Sequence, residues 1–198
     1  MIFGNKLMRL FIAIDVSIKV VENLVLLQED LQPLIKQLGG RPRWVEAENV
    51  HLTLKFIGDI DSALMFTIRD ELRELGKNHS PFSFFSQGTG CFPNEEKPRI
   101  VYAGIKDGLA QINLLREEIE NRLEEKGVQK DNRPFKPHVT VGRIKTSRKE
   151  ISLAEVIAPY TETEYGESKI TEVLLFESRL DPSGPTYRII ERVPLTGE

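Results

Sequence analysis

HLTLKF (residues 51–56) and HVTVGR (residues 138–143) hold two of the three histidines in a chain of 198 residues. Each stretch begins His-x-Thr-apolar. Strand side chains alternate between faces, so His51 and Thr53 point one way together, as do His138 and Thr140. Leu52, Leu54, Val139 and Val141 then point the other way, into apolar packing. Within each pair the imidazole and hydroxyl lie about 6–7 Å apart along the strand, by the rise per residue. Each stretch is therefore a strand with one packed face and one face equipped for chemistry.

Reading outward from these strands gives the remaining elements. MRLFIAID predicts a strand over residues 8–15. Apolar residues at three- and four-residue steps, from Val20 through Leu38, predict a helix over 17–38. Ser17 is its expected N-cap, Gly39-Gly40 its stop, and Pro33 a late kink. A short strand around Trp44 and a longer one over 50–58 follow. A second helix is expected over 61–77, capped by Asp61 or Ser62. Strands come next at 82–92 and 99–105. A third helix is expected over 107–126, with Leu109, Ile112, Leu115, Ile119 and Leu123 on one face and Gly127 closing it. The second His-x-Thr strand spans 138–144. A short helix at 150–157 and two last strands, 167–177 and 186–193, complete the pattern. Strand–helix–strand units recur in both halves, each holding one His-x-Thr. This predicts a single α+β domain, with two similar lobes of antiparallel sheet facing one another across a cleft.

Composition narrows the class. The chain is 40% hydrophobic and 29% charged, the profile of a soluble globular protein. No apolar run approaches the roughly 20 residues of a membrane span. The start reads as a first strand, not as a signal peptide. Cys91 is the single cysteine, which excludes an intrachain disulfide and suits a reducing cytoplasm. With no base motif beside it, Cys91 reads as a small packing residue before Phe92-Pro93. The net charge of −3 argues against broad coating of nucleic acid, yet leaves room for a local basic site. Lys130, Arg133, Lys136, Arg143, Lys145 and Arg148 gather around the second motif, and Arg41, Arg43 and Lys55 flank the first. Basic clusters at both matched pairs suggest a shared anion site.

Imidazole can hold or release a proton near neutral pH, and a threonine hydroxyl can donate to a phosphoryl oxygen. Two histidines across a cleft suit an in-line displacement at phosphorus, one taking a proton from the attacking oxygen and one giving a proton to the leaving oxygen. The threonines and nearby cations would hold the non-bridging oxygens. This chemistry needs no metal and no cofactor. The third histidine, His79, lies in the turn-like KNHSP without such a threonine. Ligand-spaced Cys/His pairs, HExxH, GxSxG, Walker loops and GxGxxG are all missing from the sequence.

HLTLKFIG and PHVTVGR resemble the paired signatures of the two-histidine phosphoesterase superfamily. MRLFIAID, RWVEAENVHLTLKFIGD, GCFPNEEKPRIVYAGI, RPFKPHVTVGRI and LLFESRLDPSGPTYRII, in that order, are similar to the bacterial and archaeal RNA 2′,3′-cyclic phosphodiesterases, historically called 2′-5′ RNA ligases. The likeness runs from Met8 to about Leu195, leaving residues 1–7 as an extension. It implies metal-free hydrolysis of RNA 2′,3′-cyclic phosphate ends to 2′-phosphate, with reversible 2′-5′ ligation as a further reaction. His51, Thr53, His138 and Thr140 are the catalytic set it implies, with RNA ends or a cyclic nucleotide as substrate. Because the bond to O3′ breaks, the acid must face O3′; His51 is assigned that role and His138 the base, and the reverse direction exchanges them. Arg143 matches the family's substrate-contacting arginine and Phe56 a base-stacking position. On regular strands both would face away from their histidines. Arg143 therefore requires a bend or bulge at Gly142, and Phe56 reads equally as core or as base platform. Trp44 is expected to pack in core or rim; Arg179 and Tyr187 receive no role. A monomer is expected. Two further readings stay open: a related enzyme acting on another small cyclic nucleotide ester, and a nucleotide- or RNA-binding module with little chemistry.

Overall fold

The computed structural model describes residues 7–146, 151–181 and 184–197. Of the expected N-terminal extension, only Leu7 falls among them, and it is exposed. The chain is α+β, with two antiparallel sheets packed against helices. Strands β1 (Met8–Asp15), β3 (His51–Ile60), β8 (Glu172–Asp181) and β9 (Gly184–Pro194) form the first, in the order β3-β1-β8-β9. Strands β2 (Gly40–Trp44), β4 (Phe82–Phe92), β5 (Ile100–Asp107), β6 (Val139–Thr146) and β7 (Glu164–Ile170) form the second, in the order β2-β6-β5-β4-β7. The two strands that carry the His-x-Thr motifs, β3 and β6, lie in different sheets and contact one another.

Helices α1 (Ile18–Gln37) and α4 (Ala154–Ile157) lie on the second sheet's side, and α2 (Ser62–Asn78) and α3 (Leu109–Glu124) on the first's. Ser17 caps α1 by accepting from the Val20 amide, and Asp61 caps α2 by accepting from Leu64. Pro33 is contained within α1, which continues to Gln37. Buried Val20, Leu24, Leu31 and Ile35 from α1 join Val139 and Val141 of β6 in one apolar core. Leu52 and Leu54 of β3 join the same core, with Ile68 and Leu72 of α2 and Ile112 and Leu115 of α3. Leu109 departs from its expected face. As the first residue of α3 it remains 37% exposed. The short helix is four residues long, not eight, and residue 150 of its expected span lies outside the described residues.

The last third of the chain departs from expectation in one larger way. The pattern predicts one strand at 167–177, and two are present. β7 ends at Ile170 on the second sheet, and β8 begins at Glu172 on the first. Nothing in KITE has the turn chemistry that would announce the break, because the chain changes sheets here without reversing direction in a hairpin. Each sheet thus draws strands from both halves of the sequence, so the two lobes are interleaved.

Candidate active site

His51 begins β3 and His138 immediately precedes β6. Each imidazole is fixed by its own backbone in the same way. Nδ1 of His51 donates to the Asn49 carbonyl at 2.8 Å, and Nδ1 of His138 donates to the Lys136 carbonyl at 2.6 Å. A carbonyl only accepts, so the proton of each neutral ring is on Nδ1 and the lone pair on Nε2. Thr53 Oγ1 lies 3.0 Å from Nε2 of His51, to which it donates when the ring is neutral. Thr140 faces Tyr102 across the β5–β6 ladder.

Aromatic rings hold each imidazole from the sides. Phe11 lies 5.0 Å from His51 and Tyr187 meets it edge-on at 5.5 Å. Phe92 meets His138 edge-on at 4.9 Å and Tyr102 at 5.6 Å. Phe176 adds a third ring beside His51 at 5.9 Å, so two phenylalanines and a tyrosine flank His51, and one of each flanks His138. On the first sheet, Phe11, Ala13, Leu174 and Phe176 form a small apolar cluster separate from the main core, with Tyr187 against it. Sequence reasoning passes over Phe11, Phe92 and Tyr102. Phe11 lies in a strand that reads only as packing, and the other two in a stretch whose residues carry no individual signal of a role.

Burial sets the proton affinities. It pulls the His51 pKa down to about 4; the Asn49 carbonyl opposes this and the nearby His138 adds to it. His138 is also lowered, by burial first and by the Arg143 charge, against the pull of the Lys136 carbonyl. Both rings therefore favour the neutral form near pH 7. His138 acts on His51 from the other sheet, and their strands β3 and β6 are in contact. The Tyr187 phenol is raised by burial and drawn partly back by Arg143. Arg143 therefore acts on groups from both sheets, His138 on one and Tyr187 on the other.

Strand parity alone turns Phe56 and Arg143 away from their histidines; two β-bulges turn them back. Along β3, Ile12 pairs with Lys55 and Ala13 with Thr53, leaving Leu54 as an extra residue. Along β6, Val101 pairs with Gly142 and Tyr102 with Thr140, leaving Val141 extra. A bulge puts two successive residues toward one side and shifts the alternation beyond it. Leu54 and Lys55 both point inward, and Phe56 returns to the face of His51, 6.0 Å from Phe11 and 64% exposed. Val141 and Gly142 both point inward, and Arg143 emerges exposed. Each bulge falls on the fourth residue of its motif, in Val141's case one position before the expected Gly142. Gly142 instead makes room for a ring, since a Cβ there would collide with Trp44. Trp44 packs on the core side and donates to Gln32, so it is not on the cleft face.

The basic clusters are re-sorted. Lys55 is buried, with Nζ on Glu120 and on the Gln129 carbonyl, so it does not flank the site. Lys130 pairs with Glu124 and Arg133 with Asp131. Lys136 lies 5.9 Å from the Phe92 ring. Arg148 lies outside the described residues. Arg41, Arg43, Arg143 and Lys145 remain exposed on neighbouring strands. His79 joins α2 to α3 through Glu118 at 2.8 Å. Cys91 is buried, its thiol pushed up to about 12 by burial and by Glu95, so it is not a thiolate at neutral pH. A concavity of about 690 Å³ along α1 beside Asp15 includes neither motif histidine.

A family model described as the 2′-5′ RNA ligase superfamily matches residues 26–182. Among curated relatives, a protein of Aquifex aeolicus is 35% identical over 156 residues, 78% of this chain and 82% of its own. One of Archaeoglobus fulgidus is 33% identical over 183 residues, 91% of this chain and 97% of its own. Both are named RNA 2′,3′-cyclic phosphodiesterase. Among solved structures, TT0787 of Thermus thermophilus aligns with a TM-score of 0.79 at 29% identity, covering 96% of this chain and all of its own. Escherichia coli LigT, solved with 3′-AMP, shares the fold at a TM-score of 0.76 and 24% identity, covering 96% of this chain and 99% of its own.

Proposed function

The chain belongs to the 2′-5′ RNA ligase superfamily, and from that premise we propose that it opens RNA 2′,3′-cyclic phosphate ends to 2′-phosphates through its two histidines. The observation that carries the reading is the matched pair of imidazoles, each with Nδ1 on a carbonyl two residues upstream, which leaves Nε2 (on His51, hydrogen-bonded to Thr53) as the nitrogen for proton transfer. Water attacks phosphorus and its proton passes to Nε2 of the base. The bond from phosphorus to O3′ breaks, and the acid's Nε2 proton passes to O3′. The product keeps the ester at O2′. Thr53, Thr140 and Arg143 hold the non-bridging oxygens, and Phe56 stacks on the terminal base. With an RNA 5′-hydroxyl in place of water, the same attack forms a 2′-5′ linkage; running that step backward exchanges the two roles.

His51 as acid has a condition attached. With its pKa at about 4, it holds little proton at neutral pH. The anionic substrate has to raise it, offsetting the cost of a buried imidazolium. The test is an oligoribonucleotide ending in 2′,3′-cyclic phosphate, incubated with EDTA present. A 2′-phosphate product at undiminished rate is expected. A 3′-phosphate product, or loss of activity with EDTA, overturns the mechanism. His51→Ala and His138→Ala should each lower kcat at least ~100-fold. The double variant should lose little more, because the pair acts as a unit.

A further inference from the structure

β2 and β6 pair in a register that sets Arg43 opposite Arg143 and Arg41 opposite Lys145. All four side chains are exposed, while the intervening Pro42–Ile144 pair and the flanking Trp44–Gly142 pair turn inward. The cations thus form a two-by-two array on the face that carries Thr140 and Arg143. None has a carboxylate within ion-pairing distance among the described residues, although the chain carries more acidic than basic residues. Several cations elsewhere are matched: Arg73 and Arg69 share Glu191, and Arg122 takes Glu118 and Glu71.

Like charges directly opposite each other weaken a sheet. Protection of an exposed edge explains charged residues and a proline on β2, the terminal strand of its sheet. It does not explain Arg143 and Lys145, because β6 is an interior strand between β2 and β5. An anion that bridges the two strands removes the repulsion and uses it. The two rungs are one two-residue step apart, about 6.5–7 Å, comparable to the separation of neighbouring phosphates in a single nucleic-acid strand. The nearer rung contains Arg143, which also acts on His138; the farther rung leads away from the imidazoles.

We propose that this array is a track for the internal phosphodiesters of the RNA chain, on the 5′ side of the cyclic end. Arg43 joins Arg143 at the nearer rung, and Arg41 with Lys145 holds the next phosphate out. The proposal rests on the cyclic phosphate being the substrate. It adds that the protein selects ends of RNA chains over free cyclic mononucleotides.

The experiment compares wild type with Arg41→Gln/Lys145→Gln on two substrates, a mononucleoside 2′,3′-cyclic phosphate and a tetranucleotide bearing the same end. Wild type is expected to favour the tetranucleotide through a lower KM, and the variant to reduce that preference at least tenfold. Binding of a fluorescent tetraribonucleotide with a 3′-phosphate is measured in parallel across salt concentrations. Each lost phosphate contact should flatten the slope of log affinity against log salt by about 0.7. Equal preference and equal slope in variant and wild type overturn the track. So does a polyglutamate of matched charge that competes as well as RNA, which would mark a surface for acidic protein. If neither cyclic phosphate is hydrolysed, the function proposed above fails, and the salt slope still decides the track. The variant also removes a repulsive rung, so its Tm should equal or exceed that of wild type; a large fall would show that the side chains are structural.

Discussion

His51 is the residue where burial and chemistry compete most directly. Its folded pKa of about 4 lies below the ordinary 6.5. A depressed value means that its contribution to stability is present above pH 6.5 and is lost as pH falls toward 4. Between pH 7 and 5, Tm should therefore fall less in His51→Gln than in wild type, and an equal fall would assign the acid sensitivity elsewhere. His138 is depressed as well. The proposed reaction needs one ring protonated and one neutral, so kcat/KM, which reports the free protein, should rise and fall as a bell centred below pH 6.5. The bell for kcat should lie at higher pH, because a bound phosphodiester anion favours imidazolium. A kcat/KM that rises smoothly to pH 10 would count against the pair. The imidazole and hydroxyl partners are legible in the sequence because alternation over three residues needs only the strand itself. Phe56 and Arg143 are not, since their direction depends on which residue of β1 or β5 each neighbour faces. Lys55 escapes sequence reasoning on the same ground: as the residue after the bulge it turns inward to Glu120.

At the scale of elements, the two bulges make β3 and β6 equivalent, and each is completed by a different neighbour. In β3 the inward residue after the bulge is Lys55. In β6 it is Gly142, which leaves room for Trp44 from β2. Gly142→Ala should therefore destabilise the protein by about 1–3 kcal/mol through overpacking, measured by denaturant unfolding. Gly142→Ala/Trp44→Leu should lose less than the sum of the single changes, because one methyl group and one ring compete for the same space. Additive losses would show that the glycine is required for another reason. Helices α1 to α3 are largely visible from caps and periodicity, which are local. The boundary between β7 and β8 is not, because the choice of sheet is made by packing partners far along the chain.

Across the whole molecule, Lys55 links the strand of the first motif to the segment that leads to the second. Its Nζ bonds Glu120 on α3 and the Gln129 carbonyl, before His138 is reached. Lys55→Met should cost about 3–5 kcal/mol, since it leaves Glu120 buried with only Arg116 for a partner. Lys55→Met/Glu120→Met should recover part of that loss. Sheet membership has a mechanical consequence. The chain passes between the sheets after β1, β2, β3 and β7. A molecule hinged at one linker can gape and shut around its ligand. One stitched at four seams behaves more like a caliper locked at a single setting, its jaws tipped with Nε2 atoms. Such a gauge is expected to select by fit to a fixed opening.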